Sequence, residues 1–253
     1  MLKKLYEKSN IWFAVVWIVL YCVLMSVGDV LSDAIGIQKL ITLPVAILLS
    51  VVLFFFLKNN TLLNTYGLCR PKVKAKTLLY YLPVLLMLSA NLWYGVTLNF
   101  GVGETVLYIL AMFCVGFLEE VIFRGLLFGA MKKDNLMVAV IVSSITFGMG
   151  HIINLINGSG AELVPNLLQV VYATAAGLMF VMLYYRSQSL VVCIGAHGLF
   201  NAISAFANEN LTLGQRVFSC LLLSFMMEGY ALYLAFLPYL KRINRNKQNE
   251  DHR

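Results

Sequence analysis

Residues 105–131 read TVLYILAMFCVGFLEEVIFRGLLFGAM. A helix needs about 20 predominantly apolar residues to cross a hydrocarbon core ~30 Å thick, and this run exceeds that length. Yet it carries Glu119, Glu120 and Arg124. An ionisable side chain at the bilayer centre costs roughly 2.5–3.5 kcal/mol on insertion scales, so such groups line polar sites or pair with one another. If the run is a membrane span, the rest of the chain must supply partners for these charges.

The composition agrees with a span. The chain has 253 residues, is 60% hydrophobic and 12% charged, and its mean hydropathy is +0.82. These values exclude an ordinary soluble domain and point to an all-α, polytopic membrane protein. Eight apolar runs can be drawn, at 11–28, 40–57, 77–97, 105–131, 136–156, 164–185, 189–207 and 216–240. Eight crossings put both termini on one side. The organisation expected is a short N-terminal segment (1–10), an eight-helix domain (11–240) and a basic tail (241–253) that frays.

Charge distribution orients the bundle, because cytoplasmic loops retain Lys and Arg. With the N-terminus cytoplasmic, that side receives Lys3, Lys4 and Lys8; Lys58, Arg70, Lys72, Lys74 and Lys76; Lys132 and Lys133; Arg186; and Lys241, Arg242, Arg245, Lys247 and Arg253. The outer side receives only Lys39 and Arg216, with Asp29, Asp33, Glu104, Glu162 and Glu209. The formal charge of +7 is thus a topological signal that also favours contact with anionic lipids. It does not indicate nucleic-acid binding, since the aromatics lie in or beside the spans rather than on a basic soluble face. An integral membrane protein with both termini cytoplasmic is the localisation expected.

The first run is longer than a signal-peptide core and is read as a retained span. Cys22, Cys69, Cys114, Cys193 and Cys220 occur singly, without a paired motif, and read as apolar filler rather than disulfide or metal ligands. Gly125 with Gly129, and Ala173 with Gly177, form small-xxx-small pairs that predict close helix approach.

Within the spans the polar set is short: Glu119, Glu120, Arg124, His151, His197, Asn201 and Glu228. Glu120 and Arg124 are four apart, the spacing of a helical ion pair, and read as supporting architecture. Glu119 lies ~100° around the helix from Glu120 and must find its partner elsewhere. His197 and Asn201 share a helical face, as do Phe147 and His151. Depths along the spans allow Glu119, His151, His197 and Asn201 to meet. A poorly solvated Glu119 suits a general base for water, His151 can orient that water, and His197 with Asn201 can stabilise an oxyanion. Glu119, His151 and His197 also make an acceptable zinc ligand set. Glu228 can pair with Arg124 or line a water path.

These residues carry a resemblance. E-E-x-x-x-R at Glu119, Glu120 and Arg124, F-x-x-x-H at Phe147 and His151, and H-x-x-x-N at His197 and Asn201 resemble, in order and in placement on three spans, the motifs of the CAAX protease and bacteriocin-processing (Abi) family. The resemblance covers about residues 104–207. It implies an eight-helix intramembrane endopeptidase related to the Ras-converting enzyme, with a cavity open to the cytoplasm and a membrane-associated peptide or protein as substrate. It also implies catalytic roles for Glu119, His151, His197 and Asn201, with Glu120, Arg124 and Phe147 in support. Family members have been described both as metalloproteases and as metal-free glutamate enzymes, so zinc stays open.

Other chemistries fit less well. The chain lacks H-E-x-x-H, and its spans contain no aspartyl pair. Ser159 in the GSG at 158–160 sits in an outer loop, too shallow to meet His197 as a rhomboid-type pair. A transporter would show broken helices and inverted repeats. A catalytically silent scaffold or immunity protein that binds a partner is the remaining alternative.

Overall fold

A computed structural model describes residues 2–157 and 161–251. Ser159 lies outside the described residues. The fold is all-helical, with no strand among the described residues beyond an isolated antiparallel bridge between Val96 and Ala207.

A short helix α1 (Leu2–Lys8) leads into α2 (Asn10–Ile35), whose N-terminus is capped by the Ser9 side chain accepting from the Trp12 N–H. Gly36, at φ 80°, ends α2 in the left-handed conformation that glycine adopts without strain. The chain returns through α3 (Thr42–Asn59), then α4 (Leu82–Ser89) flanked by 3-10 turns at Ala75–Tyr81 and Ala90–Leu92. Helix α5 (Val102–Glu119) passes without a break into a π-helix (Glu120–Phe128) and α6 (Gly129–Met131). There follow α7 (Leu136–Gly150) with a 3-10 turn at His151–Leu155, α8 (Leu163–Ser187), α9 (Val191–Ile203) with a turn at Ser204–Phe206, and α10 (Leu213–Asp251).

Among the described residues, six helices are long and apolar enough to cross a membrane: Asn10–Ile35, Thr42–Asn59, Val102–Met131, Leu136–Leu155, Leu163–Ser187 and Leu213–Pro238. The runs read as the third and seventh spans are shorter, at Leu82–Leu92 and Val191–Phe206. Their flanking residues turn into 3-10 geometry or loops, and Asn91 ties the two together by donating to the Phe200 carbonyl at 2.7 Å. The chain continues helical through Asp251, into the region expected to fray.

Packing relies on small residues, as it must where lipid supplies no hydrophobic drive between helices. A Cβ on Gly177 of α8 would stand 2.9 Å from the Ser144 Cα of α7, so the Ala173 and Gly177 pair does mark a close crossing. Gly125 and Gly129 instead make room for the Tyr66 ring, which reaches them from the loop between α3 and α4. That loop is more than a basic connector. The Leu190 N–H donates to the Gly67 carbonyl, the Lys72 N–H to the Ser187 carbonyl, and the Tyr6 and Tyr66 hydroxyls bond at 2.8 Å. It folds over the π-helix and closes that end of the bundle.

Glu228 does not approach Arg124. It is exposed on the outer face of α10 beside Phe225 and Leu232, and forms no ion pair among the described residues.

Candidate active site

The site forms where α5 and α9 cross. A Cβ on Gly116 would fall 2.6 Å from the Gly198 N and 2.8 Å from its Cα, so the two backbones meet directly. Glu119 and Glu120 follow Gly116 by one turn, and His197 precedes Gly198. The crossing therefore delivers the imidazole onto both glutamates. Its Nδ1 lies 2.8 Å from Glu120 Oε1, and its Nε2 lies 3.3 Å from Glu119 Oε2.

Glu119 thus finds a partner outside its own helix, and the same imidazole also meets Glu120. The helix changes to the wider π form at Glu120, altering the angular step just where the pair occurs. One flat ring with a nitrogen on each of two edges then satisfies carboxylates that do not share a helical face. The Ser143 hydroxyl donates to the Phe123 carbonyl at 2.9 Å and so ties the π-helix to α7.

Glu120 is fully buried and also faces Arg124, whose Nη1 lies 3.2 Å from its Oε1. The guanidinium, fully buried too, lies over the Phe147 ring with its carbon 4.0 Å from the centroid, and 5.6 Å from that of Phe180. A desolvated cation gains most from such ring faces. Phe147 further meets His151 and His197 edge-on at 5.7 and 5.6 Å between centroids, while Phe180 stacks on His197 at 5.6 Å. Arg124 and Glu120 thus form the ion pair that their spacing predicts, and Phe147 is the surface on which both histidines and the arginine are registered.

Glu119 has a further partner that sequence reasoning missed. The Tyr21 hydroxyl, on α2, donates to Glu119 Oε1 at 2.7 Å. The available signal was a phenol in the middle of the first span, where residues 11–28 hold one tyrosine.

Hydrogen-bond accounting follows from these contacts. If His197 Nδ1 donates to Glu120, then Nε2 and Glu119 Oε2 can bond only when one of them carries a proton. His197 thus joins the two glutamates at the wall of a cavity. That cavity, about 470 Å³, is lined by Glu119, His197, His151 and Asn201, with Tyr21 and Phe147 beside them. All four candidate catalytic residues are therefore brought to one chamber. The Asn166 side chain donates to the His151 carbonyl at 2.9 Å and fixes the turn that presents this histidine.

The expected zinc set fits less well. Both ring nitrogens of His197 face carboxylates, and no group of three His, Cys, Asp or Glu side chains with metal-holding geometry occurs among the described residues. His151 shares the chamber but does not close such a set.

The cavity has a direction along the bundle. From Glu119 it runs to Asp29, Lys39 and Ala161, at the opposite end of the bundle from the basic loops. Basic loops in the cytoplasm and a cavity open to the cytoplasm cannot both hold in this fold.

Comparison with known proteins converges on the same stretch. Residues 101–203 match the family described as Type II CAAX prenyl endopeptidase Rce1-like. The chain is 35% identical over 85 residues to "Putative membrane peptidase YdiL" of Bacillus subtilis (strain 168), a match covering 33% of this chain and 30% of that protein. The matched part is thus under a third of the relative's length. No solved structure matches the chain.

Proposed function

The chain belongs, through residues 101–203, to the CAAX protease and bacteriocin-processing family, and on that premise we propose that it is an intramembrane endopeptidase cleaving a membrane-associated peptide or protein. The observation that carries the reading is the continuous chain Tyr21, Glu119, His197, Glu120, Arg124 at the wall of a cavity that also holds His151 and Asn201.

In this reading Glu119 takes a proton from a water molecule while the water oxygen bonds to the scissile carbonyl carbon, with His151 orienting the water. The negative charge on the former carbonyl oxygen is met by the Asn201 amide and by the His197 Nε2–H, which Glu119 releases as it takes up the proton of the water. Collapse of that intermediate breaks the carbon–nitrogen bond. The proton held by Glu119 passes to the departing nitrogen, leaving a carboxylic acid and an amine, with Glu119 again a carboxylate. Glu120, neutralised by Arg124, keeps His197 in the orientation that serves this cycle. No step draws on a metal. The two short apolar helices complete eight crossings of a bacterial cell membrane, and precursors of bacteriocins or peptide pheromones are the substrates proposed.

The test is cleavage of a membrane-anchored peptide library by purified protein in nanodiscs. The wild type should cleave and Glu119→Gln should fall by at least about a hundredfold, the scale of a positioned general base. Equal behaviour of the two proteins, in cleavage or in a cellular phenotype, would replace catalysis by a scaffold that binds its partner.

A further inference from the structure

The two ends of the bundle differ in charge and in closure, and the two differences are correlated. At one end stand the basic segments: the first turn with Lys3, Lys4 and Lys8, the loop with Arg70, Lys72 and Lys74, and Lys132 with Lys133. That end is sealed. Residues Val121 to Phe128 of the π-helix are all buried, Tyr66 is 4% exposed beneath its loop, and a Cβ on Gly67 would strike the Tyr184 ring. No residue of this loop lines the cavity.

At the other end the bundle is open. On α2 the cavity wall starts at Tyr21 and continues through Cys22, Met25 and Asp29, away from the basic end. On α9 it starts at His197 and continues through Asn201 and Ser204 in the same direction. It reaches the loops at Lys39 and Ala161, where a second hollow of about 390 Å³ adjoins it through Asn91, Gln169, Tyr172 and Phe200. The rim carries little free positive charge. Lys39 is paired to Asp29 at 2.7 Å, and Arg216 is turned onto the Leu211 and Glu209 carbonyls.

Basic loops are retained in the cytoplasm. Resting on the endopeptidase reading above, we propose that this site is loaded from the extracytoplasmic face, and that its substrate is an extended peptide segment exposed there. The trough fits such a segment: its lining is largely uncharged, with Asn91, Gln169 and Asn208 beside Tyr172, Phe200 and Leu223, so it does not select for charge. A cytoplasmic chain terminus would have to pass the sealed π-helix to reach Glu119.

Two measurements test this independently. In intact cells, full-length Ala161→Cys and Asn208→Cys variants at the mouth, and Asn64→Cys at the sealed end, are treated with a membrane-impermeant maleimide and read by peptide mass spectrometry. The mouth positions should label at least tenfold more than Asn64→Cys, and permeabilisation should abolish the difference; the reverse pattern overturns the proposal. In sealed proteoliposomes of known orientation, the anchored peptide library is displayed on one face at a time. Cleavage confined to the face opposite the basic loops supports the proposal. Cleavage confined to the other face, with Glu119→Gln inactive, overturns the direction and leaves the endopeptidase intact. No cleavage in nanodiscs, where both faces are open, removes the endopeptidase reading while the labelling still decides the direction.

Discussion

Gly116 and Gly198 touch backbone to backbone, and the placement of His197 against both glutamates depends on that contact. An added Cβ on Gly116 would meet the Gly198 N at 2.6 Å and the Ile194 carbonyl oxygen at 3.2 Å, neither of which is a flexible side-chain end. Gly116→Ala should therefore separate α5 from α9. The expected cost is about 1–3 kcal/mol, the range for overpacking, and cleavage should fall at least tenfold. Gly103→Ala is the control, since nothing lies within 4 Å of that position. Thermal unfolding in detergent and the cleavage rate measured together check it. A Gly116→Ala protein as stable and active as wild type would show that the crossing does not set the site.

The buried ion pair gives a second prediction. Removing one partner of such a pair leaves an uncompensated charge and costs about 3–5 kcal/mol, whereas an apolar replacement of both is often neutral. Arg124→Met alone should be strongly destabilising because Glu120, fully buried, loses its cation. Glu120→Gln with Arg124→Met should recover at least half of that loss while leaving His197 poorly oriented, so stability and cleavage should part company. Recovery of both would mean that the pair holds the helices together and does nothing for His197.

What the sequence made legible follows from what local spacing encodes. Apolar run length gave the spans and the site helix, because crossing a bilayer constrains every residue of a run. Spacing of four gave Glu120 with Arg124 and Phe147 with His151, since those pairs lie within one element. The convergence of both glutamates on His197 was not legible. It needs the π-helix, which shifts the angular step without any period in the sequence, and a contact between glycines 82 positions apart. Tyr21 was missed because an amphipathic ring inside a span is ordinarily packing. The direction of the cavity was not legible, because charge locates the loops but not the void. That depends on where Tyr66 and the π-helix fill the bundle.

Tyr21 supplies a third prediction. Its hydroxyl holds Glu119 Oε1 at 2.7 Å from a helix that contributes nothing else to the catalytic set. A hydrogen bond to a charged group is worth about 1.5–3 kcal/mol, so Tyr21→Phe should lower kcat by roughly ten- to a hundredfold with KM little changed, the pattern of a positioning residue. An unchanged kcat would reduce the contact to packing.

Metal dependence is decided by ligand removal. The mechanism proposed uses Glu119, and both His197 nitrogens are engaged by carboxylates. Dialysis against a strong chelator should leave cleavage within about twofold of the untreated protein, since removing a catalytic zinc would remove a Lewis acid worth several kcal/mol. Loss of activity that zinc alone restores would mean that Glu119 and His197 open to receive the ion, and the metal-free scheme would be abandoned.

The last prediction concerns the joint between α8 and α10. Pro238 lies inside α10 and has no N–H, so the Leu234 carbonyl one turn earlier lacks its helical donor. Arg186 fills that gap: its Nε donates to the Leu234 carbonyl and its Nη2 to the Ala235 carbonyl, both at 2.7 Å. The arginine is thus a cap for a proline break rather than only a marker of the basic end. Arg186→Ala should destabilise the fold by about 1–3 kcal/mol, the cost of leaving a buried acceptor unmet. In a Pro238→Ala background, where the restored backbone N–H can satisfy the Leu234 carbonyl within the helix, the same substitution should cost less than half as much. A double-mutant cycle on thermal unfolding measures the difference. Equal costs in the two backgrounds would show that Arg186 acts through its charge at the membrane surface and not through the carbonyls that the proline leaves free.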